Sequence, residues 1–172
     1  MGTMLDTIGD PRTTFADLQV EAVAGYGNGK WPTFAAAKRE FPHAHHIEID
    51  VNGAGIGDAG DFENGDMAAS EAGSWAKRRI EAGVHRPVIY FSVSSWGAVI
   101  ESLHAAGLHR RDVRIWTAHY NGRPHLCDSS CEPGIKEPAD ATQWGSAQAP
   151  NTLPHPYAGR NIDVSETSPS FF

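Results

Sequence analysis

Cysteine is scarce in this chain of 172 residues: there are two, Cys127 and Cys131, in the loop Cys127-Asp128-Ser129-Ser130-Cys131. A fold framed by disulfides is thereby excluded, and the interior must be built from apolar packing. A bridge between these two would close so short a loop that it adds little stability, and a pair of reduced thiols fits the sequence equally well. Their x3 spacing lacks a second Cys or His pair at zinc-finger distance, so no metal ligand and no cofactor is assigned. Long apolar runs are missing as well; none approaches the ~20 residues that a membrane span requires. Met1 to Pro11 has neither the basic start nor the apolar centre of a signal peptide. Passage out of the cell is therefore expected to depend on lysis, a holin, non-classical export or carriage on a virion. Positive charge is also in deficit, with 14 Lys and Arg against 21 Asp and Glu and a formal net charge of −7. That balance argues against gripping nucleic acid through bulk charge and against attachment to anionic lipid.

What is present is enough for one core. Hydrophobic residues make up 40% of the chain, and residues 1–172 read as one domain, expected to act as a monomer. Short apolar strands alternate with a few good helices, which points to an α/β architecture. Strands are expected at Met4 to Ile8, Val20 to Gly25, Ile47 to Val51, Asp61 to Glu63, Pro87 to Ser92, Val113 to Tyr120, Ala141 to Trp144 and Asn161 to Ser165. Helices are expected after Thr33 as a cap, over Asp66 to Ala82, and after Ser95, where Trp96, Val99, Ile100 and Leu103 fall on one face. About eight strands with far fewer helices fit an irregular TIM-like (β/α) barrel with incomplete helices better than an open doubly wound sheet.

The acids carry the chemical suggestion. Asp61-Phe62-Glu63 places two carboxylates at i and i+2 of a short strand, so both leave the same face. Close acids cannot both ionise freely, and one pKa rises, which is the condition for general acid catalysis on a glycosidic bond. Asp6 and Asp163 also lie at or near strand ends, and in a parallel barrel the carboxyl ends of the strands share the functional face. Tyr90, Trp116, Tyr120, Gln143 and Trp144 supply the aromatic and amide groups that line sugar sites, although strand aromatics are commonly core. His43, His45 and His46 cluster before a strand without any helical His-pair motif, and a solvated turn accounts for them.

These landmarks, in order, resemble glycoside hydrolase family 25, the muramidases of phage lysins and bacterial lysozymes, in its compact actinobacterial and phage form. The resemblance is carried by Met4-Leu5-Asp6-Thr7, Ala24-Gly25-Tyr26, Asp61-Phe62-Glu63-Asn64-Gly65-Asp66, Pro87-Val88-Ile89-Tyr90, Ile115-Trp116-Thr117-Ala118-His119-Tyr120, Thr142-Gln143-Trp144 and Asn161-Ile162-Asp163-Val164. It implies an irregular barrel that ends in plain strands. It also implies a peptidoglycan glycan strand as partner, cleaved at the β-1,4 bond between N-acetylmuramic acid and N-acetylglucosamine. On that pattern Glu63 is the proton donor, and Asp61 stabilises the developing cation or orients the acetamido group. Asp6 and Asp163 complete the acidic pocket, and Tyr90, Tyr120 and Gln143 contact sugar. The first strand lacks the Ser and Gln that follow the aspartate in typical members, and Pro124 to Pro156 has no clear counterpart. Those departures motivate an alternative, a weak or inactive barrel that binds glycan. A third reading, a metal-dependent hydrolase, would join the acids to His43 and His45.

Overall fold

The computed structural model describes residues 1–172. Its strands are β1 (Gly2–Asp6), β2 (Ala22–Tyr26), β3 (His45–Asp50), β4 (Ala59–Asp61), β5 (Val88–Ser92), β6 (Arg114–Ala118), β7 (Ala141–Ser146) and β8 (Asp163–Thr167). They form a closed barrel in chain order. The helices are α1 (Pro11–Thr14), α2 (Phe34–Glu40), α3 (Ala72–Glu81) and α4 (Trp96–Ala105). None is long and apolar enough to cross a membrane. The expected α/β barrel with incomplete helices is the observed fold.

Pairing is parallel from β1 through β7, but β8 runs antiparallel to both β7 and β1. This reversal was not evident from strand count. Parallel return needs a crossover of a dozen or more residues, normally helical, over the barrel wall. The β7–β8 connection instead carries Pro150, Pro154 and Pro156 and no α-helix. The start of β8 therefore lies at the mouth where the other strands end.

Alternation along the strands sorts side chains to two sides of the wall. Met4, Ala22, Ala24, Ile47, Ile49, Ala59, Val88, Tyr90, Trp116, Ala118 and Ala141 fill the interior. Small residues on β2 and β4 make room for Tyr90 and Trp116, whose rings pack 4.5 Å apart. Outside, Phe62, Ile89, Phe91 and Ile115 meet Trp75 and Ala76 of α3 and Val99 and Leu103 of α4. A second outer cluster joins Leu5, Val23 and Val164 to Phe15, Ala37, Trp144 and Leu153. Burying each large apolar side chain stabilises the fold by about 1.5–3 kcal/mol. Gly73 sets the α3–α4 crossing: an added Cβ there would overlap the Ser102 carbonyl.

Local expectations are corrected in four places. The strand read over Asp61 to Glu63 runs instead from Ala59 to Asp61, because the chain turns after it, so Glu63 stands beyond the strand rather than at its i+2 position. The helix read from Asp66 starts only at Ala72, because Asp66 and Met67 donate backbone N–H groups to Glu63 and Asp61 carbonyls and form a turn. Thr33 precedes α2 but does not cap it; its hydroxyl accepts the Tyr26 N–H at 3.2 Å instead. Ser95 likewise makes no side-chain cap to α4.

Candidate active site

At the mouth where β1 to β7 end, β1, β2, β4 and β5 carry polar residues at their inward ends: Asp6, Tyr26, Asp61 and Tyr90. Asp6 of β1 stands opposite Asp163 of β8 in the antiparallel ladder. Asp61, ending β4, pairs in register with Tyr90 of β5. Glu63 lies just beyond β4, where its backbone N–H donates to Asp61 Oδ1 at 3.1 Å. Asp6 and Asp61 are each 3% exposed, whereas Glu63 and Asp163 are half-buried and open to solvent. The four acids expected from sequence are thus gathered at one mouth.

Their surroundings settle which charge is tolerated. Burial, followed by the charges of Asp163, Asp61 and Glu63, pushes Asp6 well above the usual aspartate range. Asp61 is pushed well up by burial and by Glu63 and Asp66, against one opposing hydrogen bond from the Glu63 N–H. Glu63 is raised by burial, Asp163 and Asp66, and the Tyr90 hydroxyl works the other way. Asp163 is raised by burial, but Ser146, the Ala147 N–H (2.9 Å from Oδ1) and Gln143 all favour its anion. Negative charge is therefore best accommodated on Asp163, and protons on Asp6 and Asp61. The buried Asp6 Oδ2 has no hydrogen-bond partner.

An aromatic and amide chain borders the acids. The Tyr90 hydroxyl donates to Gln143 Oε1 at 2.8 Å, and Gln143 Nε2 donates to the Tyr120 hydroxyl at 3.3 Å. Tyr120 is half-buried. Burial and Glu63 push its phenol far above its usual value, so it stays a neutral donor.

Two expected sugar contacts are placed elsewhere. Trp144 faces outward from β7 into the outer cluster and packs edge-on against Tyr157 at 6.1 Å. Its neighbour Gln143 faces inward because adjacent strand residues leave opposite faces. Trp116 does point inward, but it is 1% exposed and its Nε1 donates to Ser165 Oγ at 3.0 Å. It supports Tyr90 from below. His43 and His45 lie at the opposite end of the barrel, where His45 stacks on Phe172 at 4.6 Å, so they cannot share a metal with the acids.

Sequence reasoning missed Tyr26 and Asp66. Tyr26 ends β2 in step with the inward Ala22 and Ala24; burial and then Asp6, Asp61, Asp163 and Glu63 hold its phenol protonated. That parity was legible in the sequence. Asp66 is exposed, and its charge reaches both Asp61 and Glu63. Asp50, by contrast, has a structural role. Burial opposes its charge, but Trp75 Nε1, Asn28 and the Gly55 and Asn52 N–H groups outweigh that and lower its pKa. It anchors the glycine-rich loop after β3. One further set of donors, absent from the sequence assignment, comes together outside the barrel: His119, His125, Cys127 and Cys131. Comparison of the chain with protein-family models and with curated proteins returns no match.

Proposed function

We propose that the protein is a peptidoglycan hydrolase that cleaves the β-1,4 bond between N-acetylmuramic acid and N-acetylglucosamine. One observation carries this reading: four carboxylates converge at an open barrel mouth, and none of them forms an ion pair. Such a cluster works against stability and is suited to moving a proton next to a developing positive charge.

Glu63 and Asp163 are both half-buried with raised pKa values, but Ser146, the Ala147 N–H and Gln143 favour the Asp163 anion, so Glu63 is the member that donates its proton to the leaving glycosidic oxygen. Once deprotonated, it takes a proton from the water that completes hydrolysis, so a retained anomeric configuration is expected. Asp163 supplies the anion facing the oxocarbenium-like centre, and Asp61 orients the N-acetyl group or joins that stabilisation. Asp6, buried and protonated behind them, spares the pocket a further full negative charge. Tyr90, Gln143 and Tyr120 form the polar wall against which the sugar is positioned.

The test is reducing-end release from purified peptidoglycan. Glu63→Gln should lower it by about 10²–10⁴-fold, the span of general acid catalysis, with the melting temperature unchanged or higher. Release equal to wild type would remove Glu63 from the mechanism. A second reading draws on the protonated state of Asp6 and Asp61: a largely neutral cluster hydrogen-bonds sugar hydroxyls but offers little anion. Glycan pull-down without any reducing-end release by the wild type would favour that binding module.

A further inference from the structure

The chain between β6 and β7, residues 119–140, stands where a regular barrel has a helix, and contains none. Backbone bonds tie both of its ends to the barrel, among them the His119 N–H to the Gln143 carbonyl, the Gly122 N–H to the Trp144 carbonyl and the Asp140 N–H to the Ile115 carbonyl. Within it, His119, His125, Cys127 and Cys131 each present one donor atom, and all four atoms lie within 4.8 Å of one another. His119 Nδ1 is 3.0 Å from His125 Nε2, and Cys127 Sγ is 3.6 Å from the same nitrogen. A tetrahedral ion with Zn–S of about 2.3 Å and Zn–N of about 2.0–2.1 Å separates its ligand atoms by roughly 3.3–3.8 Å. The four atoms are close to that spacing without rearrangement of the chain.

The surroundings fit the same ion. His125 Nδ1 is 2.9 Å from the Arg123 carbonyl, which fixes it as the N–H bearing nitrogen and leaves the Nε2 lone pair turned to the cluster. Asn121 Nδ2, 3.4 Å from that Nε2, is the other group facing it. Cys127 is wholly buried against the outer wall, its N–H donating to Thr142 Oγ1 at 2.8 Å. Both thiols are free. The spacings, x5 between the histidines and x3 between the cysteines, each fall within the ranges of structural zinc sites. The histidine pair directly precedes the cysteine pair, with one residue between His125 and Cys127.

We infer that His119, His125, Cys127 and Cys131 form a structural Zn2+ site that pins the helix-free β6–β7 connection to the barrel wall. Binding converts two thiols to thiolates and releases two protons, giving a neutral Zn(S−)2N2 unit. All four positions are filled by protein, so the ion does no chemistry on substrate. Its consequence for the mouth is positional: Tyr120 follows His119 directly and Gln143 follows Thr142, so the ion fixes one wall of the acidic site.

The experiment is metal analysis of protein purified anaerobically without chelator, followed by cobalt substitution. About one zinc per chain is expected. Cobalt should give the visible bands of a tetrahedral complex together with thiolate-to-metal charge transfer. Cys131→Ser and His125→Gln, both at half-buried positions, should each weaken zinc binding by more than about 100-fold, the upper range for losing even an outer partner. They should also lower the melting temperature of the zinc-loaded protein to that of the chelated wild type. A folded wild type that carries no metal, gives no cobalt–thiolate band and gains no thermal stability from added zinc would overturn the site. So would a Cys127–Cys131 disulfide in protein prepared this way. None of these readouts depends on glycan cleavage, so the site stands or falls apart from the hydrolase reading.

Discussion

The two ends of the barrel treat buried acids in opposite ways. At the end where β5 to β7 begin, Asp140 is gripped by Arg110 at 2.6 Å and Arg86 at 3.4 Å, and it accepts the Ile115 N–H at 2.7 Å. Arg114 closes the same end, donating to the Phe171 carbonyl at 2.6 Å with its guanidinium over the Phe171 ring. At the other mouth, Asp6, Asp61, Glu63 and Asp163 face one another without any cation. One end spends its charges on holding the wall together; the other leaves them uncompensated. The difference supports the proposal that the second mouth is the functional one, and it predicts that equivalent substitutions at the two ends act with opposite sign.

The largest effect is expected from Asp140→Ala. Removing one partner of a buried ion pair leaves the other desolvated and unpaired, at a cost of about 3–5 kcal/mol, and here two arginines and a backbone N–H are orphaned together. Urea unfolding should show a loss of that order. A loss below about 1 kcal/mol would mean that solvent already screens the pair. Asp61→Asn should do the reverse and stabilise the protein, raising the melting temperature by about 2–4 °C for each kcal/mol gained.

The gain from Asp61→Asn should depend on pH with a defined sign. The folded-state pKa of Asp61 is raised, so its contribution is intact below the ordinary value of 3.8 and is lost as pH rises through the raised one. Wild type and variant should therefore have similar stability in acid and diverge toward neutral pH. A gap that widens as pH falls would show that Asp61 is stabilised as an anion, contrary to the contrast drawn here. Asp50 runs the other way: its lowered pKa gives stability above the ordinary value that is lost as pH falls through the lowered one. Glycan cleavage should decline on the alkaline side as Glu63 loses its proton, and on the acid side as Asp163 gains one.

The smallest expected effect on stability belongs to Tyr26→Phe. Unfolding free energy should stay within about 0.5 kcal/mol, while cleavage or glycan affinity falls several-fold through loss of a hydroxyl beside the acids. Unchanged activity and affinity would place Tyr26 outside the ligand's reach.

Much of this arrangement was legible in the residues. Period-two alternation located the strands, and counting them against the helices identified an irregular barrel. In the structure strand parity puts Asp6 on the inward face with Met4 and Asp61 with Ala59. The convergence of Asp163 is a different matter. It begins its strand, so in an all-parallel barrel it would lie with Asp140 at the far end; only the antiparallel course of β8 returns it to the acids. Direction is decided by how the β7–β8 connection packs, a non-local property that no strand pattern encodes. Trp144 shows the complementary limit. Its ring and the Gln143 amide are neighbours in sequence, yet a strand sends them to opposite sides of the wall, and register alone decides which of them faces the acids. The four sulfur and nitrogen donors were hidden by spacing, since in His-x5-His-x-Cys-x3-Cys one residue parts the two pairs where a zinc finger has about 12–15.

The position of β8 between β7 and β1 ties assembly to charge. Until that strand docks, the first and seventh strands expose unpaired edges open to association with other chains. Docking removes both edges and, in the same movement, brings Asp163 against Asp6. The repulsion that Asp163 adds to Asp6 and Glu63 is therefore felt at the moment of closure, and conditions that discharge the carboxylates, such as mild acid during refolding, should speed that final step.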